Sequence, residues 1–187
     1  MNNQMDYEIN KELGECYLFM GDFEKAEEYY RKAAQNNNNF AAPFMGLATV
    51  AVQRGDLDNA MVLYQKANSV EESDKTLCGI ALVHMEQGHH EEATECFRKA
   101  LDFSADNIVA LNCLVREAYH FDCVEMVLPY LEKAIQISSE AESIRVTKAG
   151  CLMYLGRNNE AKTILEDVLS NSPENANAKE LYATFAA

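Results

Sequence analysis

The sequence predicts an all-α protein built as a stack of helix-turn-helix hairpins. Three observations carry that prediction. One phrase is written five times: GDFEKAEEYYRKA from Gly21, GDLDNAMVLYQKA from Gly55, GHHEEATECFRKA from Gly88, DCVEMVLPYLEKA from Asp122 and GRNNEAKTILEDV from Gly156. The phrases start 34, 33, 34 and 34 residues apart, a period in the range of stacked repeats. Within the phrases, and in the segments before them, apolar residues fall three and four apart, which is helical spacing.

In the first unit, NKELGECYLFM supplies a first helix and Phe23, Ala26, Tyr30 and Ala33 mark one face of a second. Gly21 lies between them, where one helix ends and the chain must turn. Asp22 follows as an N-cap, with Glu24 just inside the helix where the dipole favours a negative charge. Glu27 with Arg31 and Glu28 with Lys32 form i,i+4 pairs in the favourable order. The second unit repeats the scheme with Leu47, Ala48 and Ala51, then Gly55 and Asp56. The third does so with Ile80, Ala81 and His84, then Gly88. Within each hairpin the close crossing requires small residues: Gly14, Ala48, Ala81 and Ala149 on one side, Ala26, Ala60, Ala93 and Ala161 on the other.

The fourth unit departs from the others. Val115 and Val127 replace small residues, and Asp122 stands where the other units have glycine. Two extra valines at a close crossing cost about 1–3 kcal/mol unless the helices move apart, so a wider hairpin is expected. With Asp122 as cap and Glu125 completing a capping box, Pro129 falls inside the second helix and predicts a kink. The fifth unit returns to glycine at Gly156, and ANAKELYATFAA from Ala176 reads as a single helix covering the last hairpin. The units run over about 7–40, 41–73, 74–107, 108–141 and 142–175, with the capping helix over 176–187, in one domain spanning 1–187.

Leu13-Gly14, Tyr17, Ala26, Tyr30 and Ala33, repeated in register, resemble the tetratricopeptide repeat family. The resemblance implies a right-handed superhelical solenoid whose concave face, lined by the first helices, binds peptides or partner helices. On that face, helical spacing selects Met45, Thr49 and Val52 in the second unit and Lys75, Cys78, Leu82 and Met85 in the third. Asn112, Arg116 and Tyr119 follow in the fourth, and Val146 and Met153 in the fifth. An apolar lining rich in methionine adapts to irregular apolar partners, so the expected partner is a protein or peptide with apolar anchors. One subtype of the family grips acidic chaperone tails with Lys, Asn, Asn, Lys and Arg. The matching positions here hold Lys11, Glu15, Thr49, Lys75 and Gly79, and Glu15 repels a carboxylate, so that clamp is rejected.

Composition narrows the function classes. With 30 acidic against 16 basic side chains the net charge is −14, which argues against binding nucleic acid. The polar start, MNNQMDYEINKE, is no secretory signal, and no apolar run is long enough to span a membrane. Six scattered cysteines without a C-x-x-C pair suit a reducing compartment, so a cytoplasmic location is expected. No nucleophile elbow, phosphate loop or H-E-x-x-H appears. The cluster His89, His90, Glu91 and Glu92 reads as a solvated turn, because adjacent helical histidines point about 100° apart. His84 replaces a core tyrosine and His120 lies at the surface. The expectation is therefore a non-enzymatic interaction scaffold without cofactor or metal. A self-assembling scaffold, a chaperone shielding an apolar client segment, and a regulatory subunit are the alternatives.

Overall fold

The structure is a computed structural model and describes residues 3–37 and 39–186. It is all-α, an array of antiparallel helix pairs. The chain divides into two compact units, Met1–Phe103 and Ser104–Ala187.

The first unit contains α1 (Asn3–Phe19), α2 (Phe23–Asn36), α3 (Ala42–Gln53), α4 (Leu57–Val70), α5 (Asp74–Glu86) and α6 (His90–Phe103). They pair as α1/α2, α3/α4 and α5/α6, and neighbouring pairs meet through α2 on α3 and α4 on α5. The alanines of the predicted crossings, Ala26, Ala48, Ala60, Ala81 and Ala93, are fully buried. Gly46 and Gly79 have a packing role that the sequence does not announce. Each receives a tyrosine ring from the preceding hairpin: a Cβ at Gly46 would lie 2.3 Å from Tyr30 Cζ, and one at Gly79 would lie 2.3 Å from Tyr64 Cε1.

The turns follow one rule. Gly21, Gly55 and Gly88 take φ between 76° and 78°, the left-handed region that glycine enters without a Cβ penalty. At the first, Gly21 N–H donates to the Leu18 carbonyl and Asp22 N–H to that of Tyr17, at 3.0 and 2.9 Å, so the ending helix keeps its last acceptors satisfied. Asp22 and Asp56 then cap the second helices, accepting from the N–H groups of Lys25 and Asn59 at 3.1 and 3.4 Å. The expected pairs Glu27–Arg31 and Glu28–Lys32 are present at 2.5 and 2.6 Å.

The second unit contains α7 (Ile108–His120), a 3-10 turn (Val124–Val127), α8 (Leu128–Ile137), α9 (Ala141–Tyr154), α10 (Asn158–Asn171) and α11 (Ala176–Ala183), then a short 3-10 turn, Thr184–Ala186. Here the reading of Asp122 and Pro129 needs correction. Asp122 is not a cap: its φ is 54°, so it takes the left-handed place that glycine holds in the other turns. Cys123 N–H then closes the turn on the Ala118 carbonyl at 2.8 Å. Glu125 completes no capping box but meets Arg157 at 3.2 Å. Pro129 does not kink a helix interior. It sits in the first turn of α8, where its missing N–H has no intrahelical acceptor to lose. The second helix is thereby replaced by a 3-10 turn and a helix of 10 residues, against 14 for α10. Val115 and Val127 are both buried, and α7 approaches the 3-10 turn more closely than α8, which packs on α9. The bulk that widens the crossing is thus accommodated by pulling α8 away from α7. α11 lies on α10 and α9, with Ala178 fully buried.

Candidate functional site

Within the first unit, α3 and α5 carry the predicted groove residues. Met45 and Val52 are half-buried and packed against core residues, and Leu82 and Met85 are half-buried. Cys78 is buried at 6% exposure, so its sulfur belongs to the packed interior, while Lys75 is exposed. Thr49 does two jobs. Its hydroxyl donates to the Met45 carbonyl at 3.0 Å and lies 3.1 Å from the Tyr64 hydroxyl. Tyr64 thus reaches through the hairpin contact, its phenol pushed above the ordinary range by burial.

The second unit carries Asn112, Arg116 and Tyr119 on α7, all exposed, and Val146 and Met153 on α9, buried and half-buried respectively. An open groove of about 500 Å³ gathers Asn112, Tyr119, Val146 and Gly150 with Ser143, Thr147, Asn177, Glu180 and Leu181. Arg116 and Met153 do not line it. Sequence reasoning missed the contribution of α11, because that helix was read as a lid; the polar residues Asn177 and Glu180 on a helix with little apolar surface were the available signal.

The groove lining mixes aromatic, apolar and amide groups. Tyr119 stands edge-on to Tyr154, with ring centroids 5.0 Å apart. Burial first, then the interaction with Cys151, hold the Tyr119 phenol well above its ordinary pKa, so it is neutral at physiological pH. Gly150 leaves the middle of the floor open: a Cβ there would meet the Tyr119 hydroxyl oxygen at 3.8 Å and Leu181 Cδ1 at 4.0 Å. Asn112 and Asn177 each offer two amide donors and a carbonyl acceptor, the set a peptide backbone requires. Val146 and Leu181 supply apolar parts of the same lining.

Other polar groups stand apart from these grooves. His84 is half-buried with its Nδ1 unpartnered, its ring 5.9 Å from that of His89. Among the described residues no group of three His, Cys, Asp or Glu side chains is placed to hold a metal ion. No helix of the described residues is long and apolar enough to cross a membrane.

Comparison with known proteins agrees with the fold. Tetratricopeptide repeat models match residues 7–40, 75–107 and 127–184, together more than half of the chain. An array of repeating helical hairpins with small residues at each crossing defines a helical repeat protein, and the chain belongs to the tetratricopeptide repeat family. It is 30% identical over 110 residues to the BBSome complex member BBS4 of Bos taurus, a match covering 58% of this chain and 21% of that one. The chain spans about a fifth or less of the length of the first curated relatives it matches. Its fold is similar to that of Pseudomonas aeruginosa pilF, with a TM-score of 0.76 and 19% identity, covering 98% of this chain and 86% of that one. It is also similar to YrrB, described as a TPR protein with an unusual peptide-binding site, with a TM-score of 0.64, 25% identity and 86% of both chains covered.

Proposed function

We propose that the chain is a non-enzymatic interaction scaffold that binds an extended or helical segment of a partner protein along the faces of its first helices. The observation that carries this reading is the groove of α7, α9 and α11, which brings the amides of Asn112 and Asn177 together with Val146, Leu181 and Tyr119 around Gly150. Such a site suits an extended peptide: amides hold the backbone, and Val146, Leu181 and Tyr119 accept one apolar side chain. In the first unit, Met45, Thr49, Val52, Lys75, Cys78, Leu82 and Met85 form a second stretch, where the half-buried methionines offer an adaptable apolar surface. The likeness to YrrB, described by its peptide-binding site, and to BBS4, a member of a complex, supports the same reading.

The test is selection of peptides from a display library on the intact protein, followed by titration calorimetry. Gly150→Val should weaken a peptide held in the second unit's groove by about tenfold or more, since it fills the floor. The pair Leu82→Asp and Met85→Asp should do the same for a peptide held in the first unit. Far-UV circular dichroism should be unchanged in each variant. Peptides whose affinity survives all three substitutions would remove the grooves from consideration. Light scattering across a concentration series checks the alternative in which the occupant is a second copy of the chain: a mass that grows with concentration and is restored to monomer by these substitutions favours self-assembly.

A further inference from the structure

The groove of the second unit keeps the register of the repeats. Asn107 and Asn175 cap α7 and α11 alike, each accepting from the N–H three residues on, at 3.0 and 2.9 Å. They stand two periods of 34 residues apart, so α11 begins as the first helix of a hairpin begins. Three residues of the lining therefore share one height: Asn112 on α7, Val146 on α9 and Glu180 on α11. An amide, an apolar group and a carboxylate follow one another across the groove.

The charge of the lining is one-sided. Among the described residues that form it, Glu180 carries the one formal charge, and there is no lysine, arginine or histidine. Glu180 makes no hydrogen bond or ion pair among the described residues, and neither do the side-chain amides of Asn112 and Asn177. The basic side chains of α9 and α11 are engaged elsewhere: Arg145 with Asp167 at 2.9 Å, Lys148 with Glu132 at 3.0 Å and Lys179 with Glu174 at 3.0 Å. Arg116 falls one turn beyond Asn112 and does not line the groove. The Ser143 and Thr147 hydroxyls donate to the carbonyls of Glu140 and Ser143, both at 3.1 Å, so acceptor capacity is what they have left for a ligand. An anionic group entering this lining meets one like charge and no cation. A cationic group meets a carboxylate without a partner and several spare acceptors.

Resting on the groove reading above, we propose that the partner segment held in the second unit presents a lysine or arginine to Glu180, two residues from the apolar side chain seated beside Val146, and that segments with an acidic residue there are refused. The spacing follows from the helices. Packed helices lie about 8–10 Å apart. Two residues of extended chain keep both side chains on one side and advance about 7 Å. The long stem of a lysine or arginine covers the remainder, its methylenes lying along apolar surface and its charge at the end. The net charge of −14 adds a long-range attraction for the same kind of segment.

The experiment uses the whole protein and three pools of capped peptides carrying a neutral fluorophore. Each has leucine at the centre and one fixed residue, Z, two positions away on both sides. Z is lysine, glutamine or glutamate, and every other position is drawn from alanine, serine, threonine and asparagine. Placing Z on both sides makes the result independent of chain direction. In fluorescence anisotropy the lysine pool is expected to bind about threefold more tightly than the glutamine pool and about tenfold more tightly than the glutamate pool. Glu180→Gln should erase that order and Glu180→Lys should reverse it, with circular dichroism unchanged. Glu72→Gln, in the first unit, removes the same charge and should leave the order intact, which separates pairing at Glu180 from the general attraction of a basic peptide to an acidic chain. Equal affinity of the three pools, or an order that survives Glu180→Gln, would overturn the proposal; the groove reading then still stands where Gly150→Val weakens every pool. No binding of any pool, or binding that Gly150→Val leaves unchanged, would overturn the proposal and the groove reading together.

Discussion

Tyr30 shows how much of the array rests on single side chains. Its ring lies between two glycines: a Cβ at Gly14 would be 2.7 Å from Tyr30 Cδ1, and one at Gly46 would be 2.3 Å from Cζ. The sequence made Gly14 visible, because it falls at the same point of the period as Ala48 and Ala81. Gly46 was not legible, since nothing local announces that a ring from another hairpin arrives there. Burial, followed by the charge of Glu15, pushes the Tyr30 phenol up to about 12 from the ordinary value of 10.0. Between those two pH values the unfolded chain ionises this tyrosine and the folded one does not. The unfolded state therefore binds fewer protons, and stability falls as pH rises. The contribution is fully present below pH 10.0 and is lost as pH passes through about 12. Denaturation in urea at a series of pH values should show a decline through that window, and Tyr30→Phe should remove part of it. A decline of the same size in Tyr30→Phe would assign the effect to other tyrosines.

At the scale of elements, the turns and caps were the most legible features and the fourth hairpin the least. Gly21, Gly55, Gly88 and Gly156 were predicted to be turn residues and are, with φ between 74° and 78°. Asp56 was predicted to cap and does. Asp122 defeated the same reasoning because aspartate is both a good cap and one of the few non-glycine residues that tolerate the left-handed region. Only the geometry decides between the two roles. Its carboxylate is used differently as a result: it accepts a hydrogen bond from the Tyr154 hydroxyl at 2.9 Å, tying the turn after α7 to the end of α9. Pro129 misled for a related reason. A proline about two turns into a presumed helix predicts a kink, but here the helix begins later and the proline opens it. Asp122→Ala is expected to destabilise the protein by about 1–2 kcal/mol, because alanine in the left-handed region is strained and the bond from Tyr154 is lost. Asp122→Gly should be much milder, since the relief of backbone strain offsets the missing bond. Denaturant titration checks both, and equal losses for the two variants would mean that the backbone conformation carries none of the cost.

For the whole molecule the governing quantity is charge. The chain carries −14 on 187 residues. Its ion pairs among the described residues are mostly exposed, as Arg31–Glu27 and Arg145–Asp167 show with basic side chains at 66% and 42% exposure. Pairs of that kind contribute about 0–1 kcal/mol each and less as salt screens them. Most are also local, within one hairpin or between adjacent ones, so they do little to offset repulsion between more distant acidic groups. That excess was legible in composition, whereas the pairing of individual charges across hairpins, such as Arg157 with Glu125, was not, because it depends on which turns are neighbours. The two effects respond oppositely to salt. Raising ionic strength from about 0.01 M to about 0.15 M shortens the screening length from about 30 Å to about 8 Å. This removes the long-range repulsion almost entirely and weakens contact pairs only in part. The folded protein should therefore gain stability, with a rise in Tm of about 2 °C if the net relief is near 1 kcal/mol. Thermal unfolding followed by circular dichroism at the two salt concentrations measures it. A fall in Tm would show that the exposed pairs outweigh the repulsion, and that this acidic array is held together by its charges rather than in spite of them.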